Sequence, residues 1–251
     1  MALKSYIKPI KLKFKAKSEL AKGVYAFDFI PPSKIDWQAG QYASFEIPIL
    51  HGKTKRKTFT IASAPGESVI TFATMIREDQ PDIYKNNLLS LKKGSVVKMR
   101  GPTGPMYIND LNKNYALLAT GIGITPFRSM LKQLVLEGAT NTKATLFYAS
   151  GKNGHLFKED FNEIKSILKN VRIEYIYKPE RITGNLLEEE LGNNLKDTIY
   201  LLAGPSNMVK GYKRTLQGLK IKRKNIKSNP FLGRVSRVIT VHLPKQNDFY
   251  G

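Results

Sequence analysis

The chain has no cysteine. That absence excludes structural disulfides, thiolate-held zinc, a catalytic thiol and any cysteine-ligated iron–sulfur cluster, so the protein brings no such cluster of its own. Histidine is nearly as scarce, and His51, His155 and His242 are scattered with neither metal-ligand nor triad spacing. No apolar run approaches membrane-spanning length, and the basic start MALKSYIKPIKLKFKAKSEL holds no apolar core of signal-peptide length. The expectation is a soluble, cytoplasmic, monomeric protein with no membrane partner. Acid is missing from a whole region: between Asp197 and Asp248 there is none, while Lys210, Lys213, Arg214, Lys220, Lys222, Arg223, Lys224, Lys227, Arg234, Arg237 and Lys245 crowd the same stretch.

What is present is a chain of 251 residues with a formal charge of +21. Its length suits two ordinary domains, and so basic a field attracts an anionic partner: nucleic acid, an anionic membrane or an acidic protein. The first half reads as strands. KLKFKAK (11–17) alternates apolar and basic residues, and VYAFDFIPP (24–32), GQYASFEIPI (40–49), KTFTIAS (57–63), VITFATMIR (69–77) and SVVKMRGP (95–102) follow between turn signals, the pattern of an antiparallel β-barrel.

After GPTGPMYIND (101–110) the period changes, and the domain boundary is expected near residues 106–113. YALLAT (115–120), ATLFYAS (144–150), RIEYIY (172–177) and TIYLLAG (198–204) read as strands, interleaved with helices over PFRSMLKQLVLEG, LFKEDFNEIKSILKN and NMVKGYKRTLQGL. This alternation predicts a doubly wound parallel α/β sheet. The domains are read as a barrel over 1–108, an α/β domain over 112–233 and a C-terminal extension over 234–251.

Two stretches carry chemistry. In LLATGIGITPF (117–127) a buried strand gives way to a helix through a turn where Gly121 and Gly123 let backbone N–H groups approach a pyrophosphate. Thr125 is placed to cap the helix and Pro126 to fill its first turn. The next strand ends in YASGK, where Ser150 and Lys152 stand in place of the acid that holds a ribose 2′-hydroxyl, which suits a 2′-phosphate and hence NADPH rather than NADH. RKTFTIASAPG (56–66) joins two cations, an aromatic and hydroxyls in one strand, with Phe59 and Thr60 on opposite faces by alternation.

With these pieces the sequence resembles the ferredoxin–NADP reductase superfamily over nearly the whole chain to about residue 233. DWQAGQYASFEIP is similar to the family's G-Q-Y strand, KTFTIAS to its flavin motif, and DIYKNNLLSLKKGSVVKMRGPTGPM to its flavin-phosphate segment. ATGIGITPF is similar to its nicotinamide-nucleotide turn, ERITGNLL to G-R-I-T, LLAGPSNMV to the A-G-P-x-x-M-V stretch and NPFLG to its closing E-x-F-x-G. The resemblance implies FAD. Lys57 takes the place of the arginine that meets the flavin pyrophosphate, with Arg56 as a neighbouring cation, Phe59 packs on the flavin, and Thr60 offers its hydroxyl near N5 as the catalytic residue. Ile76, Tyr84 and Lys85 are implied as further flavin contacts. Gly204 and Met208 are implied at the nicotinamide end, Arg181 as a second cation for the 2′-phosphate, and Tyr250 or Phe249 as a terminal aromatic over the flavin.

Lysine at 57 departs from the motif, because it cannot make arginine's bidentate fork. Ala203 stands where many members carry cysteine. No catalytic dyad is visible, which agrees with hydride transfer, where the bound groups carry the reaction and the protein aligns them. The favoured reading is an FAD enzyme that takes hydride from NADPH and passes electrons singly to an acidic carrier, ferredoxin or flavodoxin. A second is reductase supply to an oxygenase, a ferric chelate or free flavin. A third, disfavoured by the lack of aromatic-basic interleaving, is a basic nucleic-acid-binding module that keeps the fold.

Overall fold

The computed structural model describes residues 8–49, 53–151 and 154–231. Its first half is a six-stranded antiparallel sheet of β1 (Ile10–Ala21), β2 (Val24–Ile30), β3 (Tyr42–Pro48), β4 (Thr54–Thr60), β5 (Ile70–Met75) and β6 (Val96–Thr103), in the order β4-β3-β6-β1-β2-β5. The ends of that order meet: just beyond β4, the Ala62 N–H donates to the Thr71 carbonyl of β5 at 2.7 Å, which closes the barrel. Period-two alternation turns Leu12, Phe14, Phe27, Phe29, Phe45, Ile47, Val97 and Met99 inward. Phe72 lies at the centre, stacked on Phe59 at 4.3 Å and on Phe29 at 5.5 Å between ring centroids. A short helix, α1 (Ile83–Leu89), closes one mouth with Tyr84 and Leu88.

The second half is a five-stranded, all-parallel sheet of β7 (Asn114–Thr120), β8 (Lys143–Ser150), β9 (Val171–Tyr177), β10 (Ile199–Pro205) and β11 (Ile226–Phe231), in the order β11-β10-β7-β8-β9. Its central strands read as unbroken apolar runs because both faces are covered. α2 (Thr125–Leu136) and α3 (Lys158–Ile167) bury Phe127, Met130, Leu131, Phe161 and Ile164 on one face. α4 (Gly184–Leu191) and α5 (Ser206–Gly218) bury Leu187, Leu191, Val209, Tyr212 and Leu216 on the other. The sheet is doubly wound, and the sequence order reverses at β7, beside which β8 and β10 diverge.

Candidate functional site

β4 pairs with β3 in a register that sets Lys57 opposite Phe45, Thr58 opposite Ser44, Phe59 opposite Ala43 and Thr60 opposite Tyr42. Lys57 and Phe59 therefore share the face turned to the barrel mouth, where the Lys57 ammonium lies 5.5 Å from the centre of the Tyr84 ring. Thr60 lies on the other face, 4% exposed, and its hydroxyl has no hydrogen-bond partner among the described residues. Arg56 also points away from Lys57, across from Glu46 on β3, so it cannot reinforce Lys57 at the mouth as its adjacency in sequence suggested.

Asp82 is the N-cap of α1 and accepts from the N–H groups of Tyr84 at 3.0 Å and Lys85 at 3.2 Å. The same carboxylate is ion-paired with Lys57. Burial pushes the Asp82 carboxyl up, but the Lys57 ammonium and the Lys85 N–H outweigh it and hold the group below the usual carboxylate value. Lys85 donates its ammonium to the Met75 carbonyl; burial and the charge of Lys57 lower its pKa. Tyr84 is a core residue rather than a ligand contact: it is fully buried and its hydroxyl donates to the Phe45 carbonyl at 2.9 Å. Ile76 is half-buried against the barrel core, with its N–H on the Gly23 carbonyl at 2.7 Å.

The turn that follows Thr60 is the joint between the two sheets. The Ser63 hydroxyl accepts from the Thr71 N–H at 2.9 Å, and its carbonyl accepts from the Ser129 hydroxyl of α2 at 2.6 Å. Arg128 of α2 donates to the Ala62 carbonyl at 3.1 Å, to Glu67 at 2.7 and 3.1 Å, and to Asp160 of α3 at 3.2 and 3.0 Å. Burial opposes the Arg128 charge, but both carboxylates outweigh it and raise the guanidinium pKa. Gln133 accepts from the Gly66 N–H at 2.9 Å. At the opposite end, the Asn229 side chain of β11 donates to the Gly40 carbonyl at 3.1 Å, a bond that an ionised glutamate there could not give.

This joint sets the end of β4 beside the glycine turn. Residues 121–124 form a single 3₁₀ turn between β7 and α2, in contact with β5. Gly121 is left-handed at φ +54°, and a Cβ on Gly123 would stand 2.4 Å from the Ala203 carbonyl oxygen, so the turn lies directly on the end of β10. A Cβ on Gly204, at φ +152°, would stand less tightly, 3.3 Å from the Thr120 Cβ. Pro126 occupies the first turn of α2, as its missing N–H favours. Thr125 does not cap that helix: it is the first helical residue, and its hydroxyl donates back to the Ile122 carbonyl at 3.2 Å.

The end of β8 is more committed than its sequence suggested. The Ser150 hydroxyl is buried and donates to the Gly154 carbonyl, closing the loop on itself. Lys152 lies outside the described residues, as do Phe249 and Tyr250. Lys178 was not foreseen; its ammonium lies against Gly151, 3.5 Å from where a Cβ would stand. Arg181 is exposed and lines a separate cleft with Glu174, Tyr175, Glu180 and Thr183. Met208 packs half-buried into the layer under α5 instead of standing free at the turn. His155, unassigned from sequence, is ringed by Tyr148, Tyr175 and Tyr177 at 4.7, 4.7 and 4.5 Å. Tyr148 in turn donates to the Gly121 carbonyl at 3.1 Å, which ties this cluster to the glycine turn.

Residues 117–214 match the family model of the oxidoreductase NAD-binding domain. The fold overlays the FAD/NAD-binding domain of nitric oxide dioxygenase from Vibrio cholerae with a TM-score of 0.76, at 18% identity, covering 88% of this chain and 98% of that one. It overlays ferredoxin–NADP⁺ reductase from Plasmodium falciparum with a TM-score of 0.75, at 17% identity, covering 92% and 99%. The two-domain fold of the chain is that of these two structures. Among curated relatives, NADH-cytochrome b5 reductase 1 of Candida glabrata is 26% identical over 68% of this chain and 65% of its own length. Its namesake from Aspergillus clavatus is 26% identical over 82% and 72%. The chain thus covers about two thirds to three quarters of the length of these relatives. The groups named for the overlaid proteins are FAD and a pyridine nucleotide.

The residues suit both groups. An open hydroxyl at Thr60, the half-exposed ring of Phe59 and the ammonium groups of Lys57 and Lys85 are donors and surfaces for FAD. The side-chain-free turn at Gly121 and Gly123 suits a nucleotide backbone. One feature is discordant: Asp82 already holds Lys57 and the first N–H groups of α1, so an anionic ligand there has to share them with a carboxylate. Among the described residues no cluster of His, Asp or Glu could hold a metal ion, and no helix is long and apolar enough to cross a membrane.

Proposed function

We propose that the chain moves a hydride from a reduced pyridine nucleotide to bound FAD and passes the electrons singly to an acidic carrier protein. The observation that carries this reading is the joint itself, in which Arg128, Ser129 and Gln133 lock the Thr60–Glu67 segment of the barrel onto the helix that begins at the glycine turn. FAD, when bound, supplies the exchange between two-electron and one-electron chemistry. The protein aligns: Thr60 presents its hydroxyl, Phe59 a flat apolar surface, and Gly121 and Gly123 a backbone that a nucleotide can approach closely. Such positioning is worth several kcal/mol of barrier in reactions that need two groups in register, and it calls for no catalytic acid or base.

NADPH is the donor on this reading. The loop after β8 carries no carboxylate to repel a 2′-phosphate, its sequence holds Lys152, and the Lys178 ammonium lies against Gly151. Similarity to NADH-cytochrome b5 reductases favours a second reading, with NADH as donor and a cytochrome b5 as acceptor. The exposed Lys210, Lys213 and Arg214 of α5, continued by Lys222, Arg223 and Lys224, suit an acidic carrier under either reading.

Absorbance of the purified protein tests the flavin directly: it should be yellow and should bleach on addition of NADPH. Lys178→Ala should weaken NADPH about ten- to a hundredfold, the loss of one charge-assisted contact, and leave NADH nearly unchanged. Equal losses for both nucleotides would place Lys178 away from the 2′-phosphate and favour the second reading. A colourless protein would favour the binding-module alternative.

A further inference from the structure

The barrel carries a second basic surface, on its far side. In the closed order β4-β3-β6-β1-β2-β5, the seam between β4 and β5 faces the α/β half, and β6 and β1 lie opposite it. On β1, Lys11 and Lys13 alternate with buried Leu12 and Phe14 and stand outward, and a bulge after Phe14 keeps Lys15 exposed as well. Lys98 of β6 pairs directly with Lys11, and Lys92 and Lys93 sit in the turn whose Gly94 N–H bonds the Phe14 carbonyl at 2.8 Å.

Like charges placed directly opposite across a ladder repel and destabilise the sheet. Little on this face relieves them. Glu46 pairs with Lys98 at 3.7 Å, and Asp28 is turned to the Thr71 hydroxyl at 2.7 Å; among the described residues Lys11, Lys13, Lys15, Lys92 and Lys93 have no ion-pair partner. Lys13 is flanked in register by Val96 on one side and Ile30 on the other, apolar side chains left 48% and 46% exposed.

We propose that this β1–β6 face is a docking surface for an anionic lipid bilayer. Lysines around exposed aliphatic groups match a surface of acidic headgroups over hydrocarbon, where each ammonium stays in the headgroup layer and Val96 and Ile30 meet the acyl boundary. Its exposed cations are lysines; Arg100, two residues beyond Lys98 on β6, is half-buried, and no exposed aromatic stands among the residues named, whereas arginine forks and aromatics are the groups that read nucleic acid. Its position opposite the β4–β5 seam keeps it clear of the joint where the nucleotide turn meets the barrel. A protein held to lipid by this face therefore leaves that joint open to a soluble carrier.

The test is co-sedimentation of the full chain with phosphatidylcholine vesicles that contain or lack about one-third phosphatidylserine. Binding should require phosphatidylserine and fall as added salt shortens the Debye length from about 10 Å toward 3 Å. The triple variant Lys11→Glu, Lys13→Glu, Lys15→Glu should bind about a hundredfold less, from about fivefold per lysine, while nucleotide-dependent turnover stays at the wild-type rate. Val96→Asp should weaken binding severalfold. A control with the same charge change on α5, Lys210→Glu, Lys213→Glu, Arg214→Glu, should retain it. No binding to phosphatidylserine vesicles would overturn the proposal, as would equal losses in the two triple variants, since bulk charge would then be responsible. Binding to RNA as tight as to vesicles and indifferent to Val96→Asp would also overturn it.

Discussion

Replacing Asp82 with asparagine isolates the anion that sits among the cations at the start of α1. Asparagine is as good an N-cap as aspartate, so its side-chain oxygen can still accept from the Tyr84 and Lys85 N–H groups and the helix should survive the change. What is lost is the ion pair with Lys57, whose partners are 20% and 28% exposed, a contribution of about 0.5–1 kcal/mol to stability. What is gained is an ammonium free to meet a ligand phosphate and the removal of a nearby negative charge. One charge-assisted hydrogen bond is worth about 1.5–3 kcal/mol, so FAD should bind about ten- to a hundredfold more tightly.

Quenching of flavin fluorescence on titrating the apoprotein reads the affinity, and circular dichroism shows whether α1 remains. Because the folded carboxyl lies below its usual value, its contribution to stability is complete above the unfolded value of 3.8 and is lost as pH falls through the lowered folded one. The wild-type affinity should therefore be flat in pH around neutrality. An Asp82→Asn protein with intact helix content and unchanged or weaker FAD binding would refute the idea that this carboxylate competes for Lys57.

Arg128→Ala should cost about 3 kcal/mol, because Glu67 and Asp160 would keep their charges in a partly buried place without the cation they share; thermal melting would show it, and an unchanged midpoint would mean that the joint is held elsewhere. Gly123→Ala forces a methyl to within 2.4 Å of the Ala203 carbonyl oxygen, so it should destabilise by about 1–3 kcal/mol and weaken both nucleotides together; wild-type nucleotide affinity would show that the turn yields freely. Burial depresses the His155 pKa, so this group contributes stability that is complete above its unfolded value of 6.5 and is lost as pH falls from there through the lowered folded value. His155→Gln should flatten that part of the stability profile, measured by urea unfolding across pH; an unchanged profile would assign the titration to another group.

The two-sheet architecture was legible in the sequence because each half keeps one period. Alternation in KLKFKAK and its successors required a half-buried antiparallel sheet, and unbroken runs such as YALLAT required strands covered on both faces, irrespective of any distant contact. The glycine turn was legible too, since only residues without a Cβ fit its position against β10. What period and spacing do not encode is which charge meets which across the fold. Asp82 reads locally as a helix cap, and only the closed barrel brings Lys57 from β4 onto it. Alternation alone separates Arg56 from Lys57, but the burial of Tyr84, the loop closure by Ser150 and the inward packing of Met208 are tertiary outcomes. Arg128 looked like one more surface cation on a helix, and its role depends on Glu67 and Asp160, distant in sequence, arriving on either side. Local pattern sets which face of an element is apolar, and that suffices for the fold; the polar contacts that build the site form between elements, and only the packed structure decides their partners.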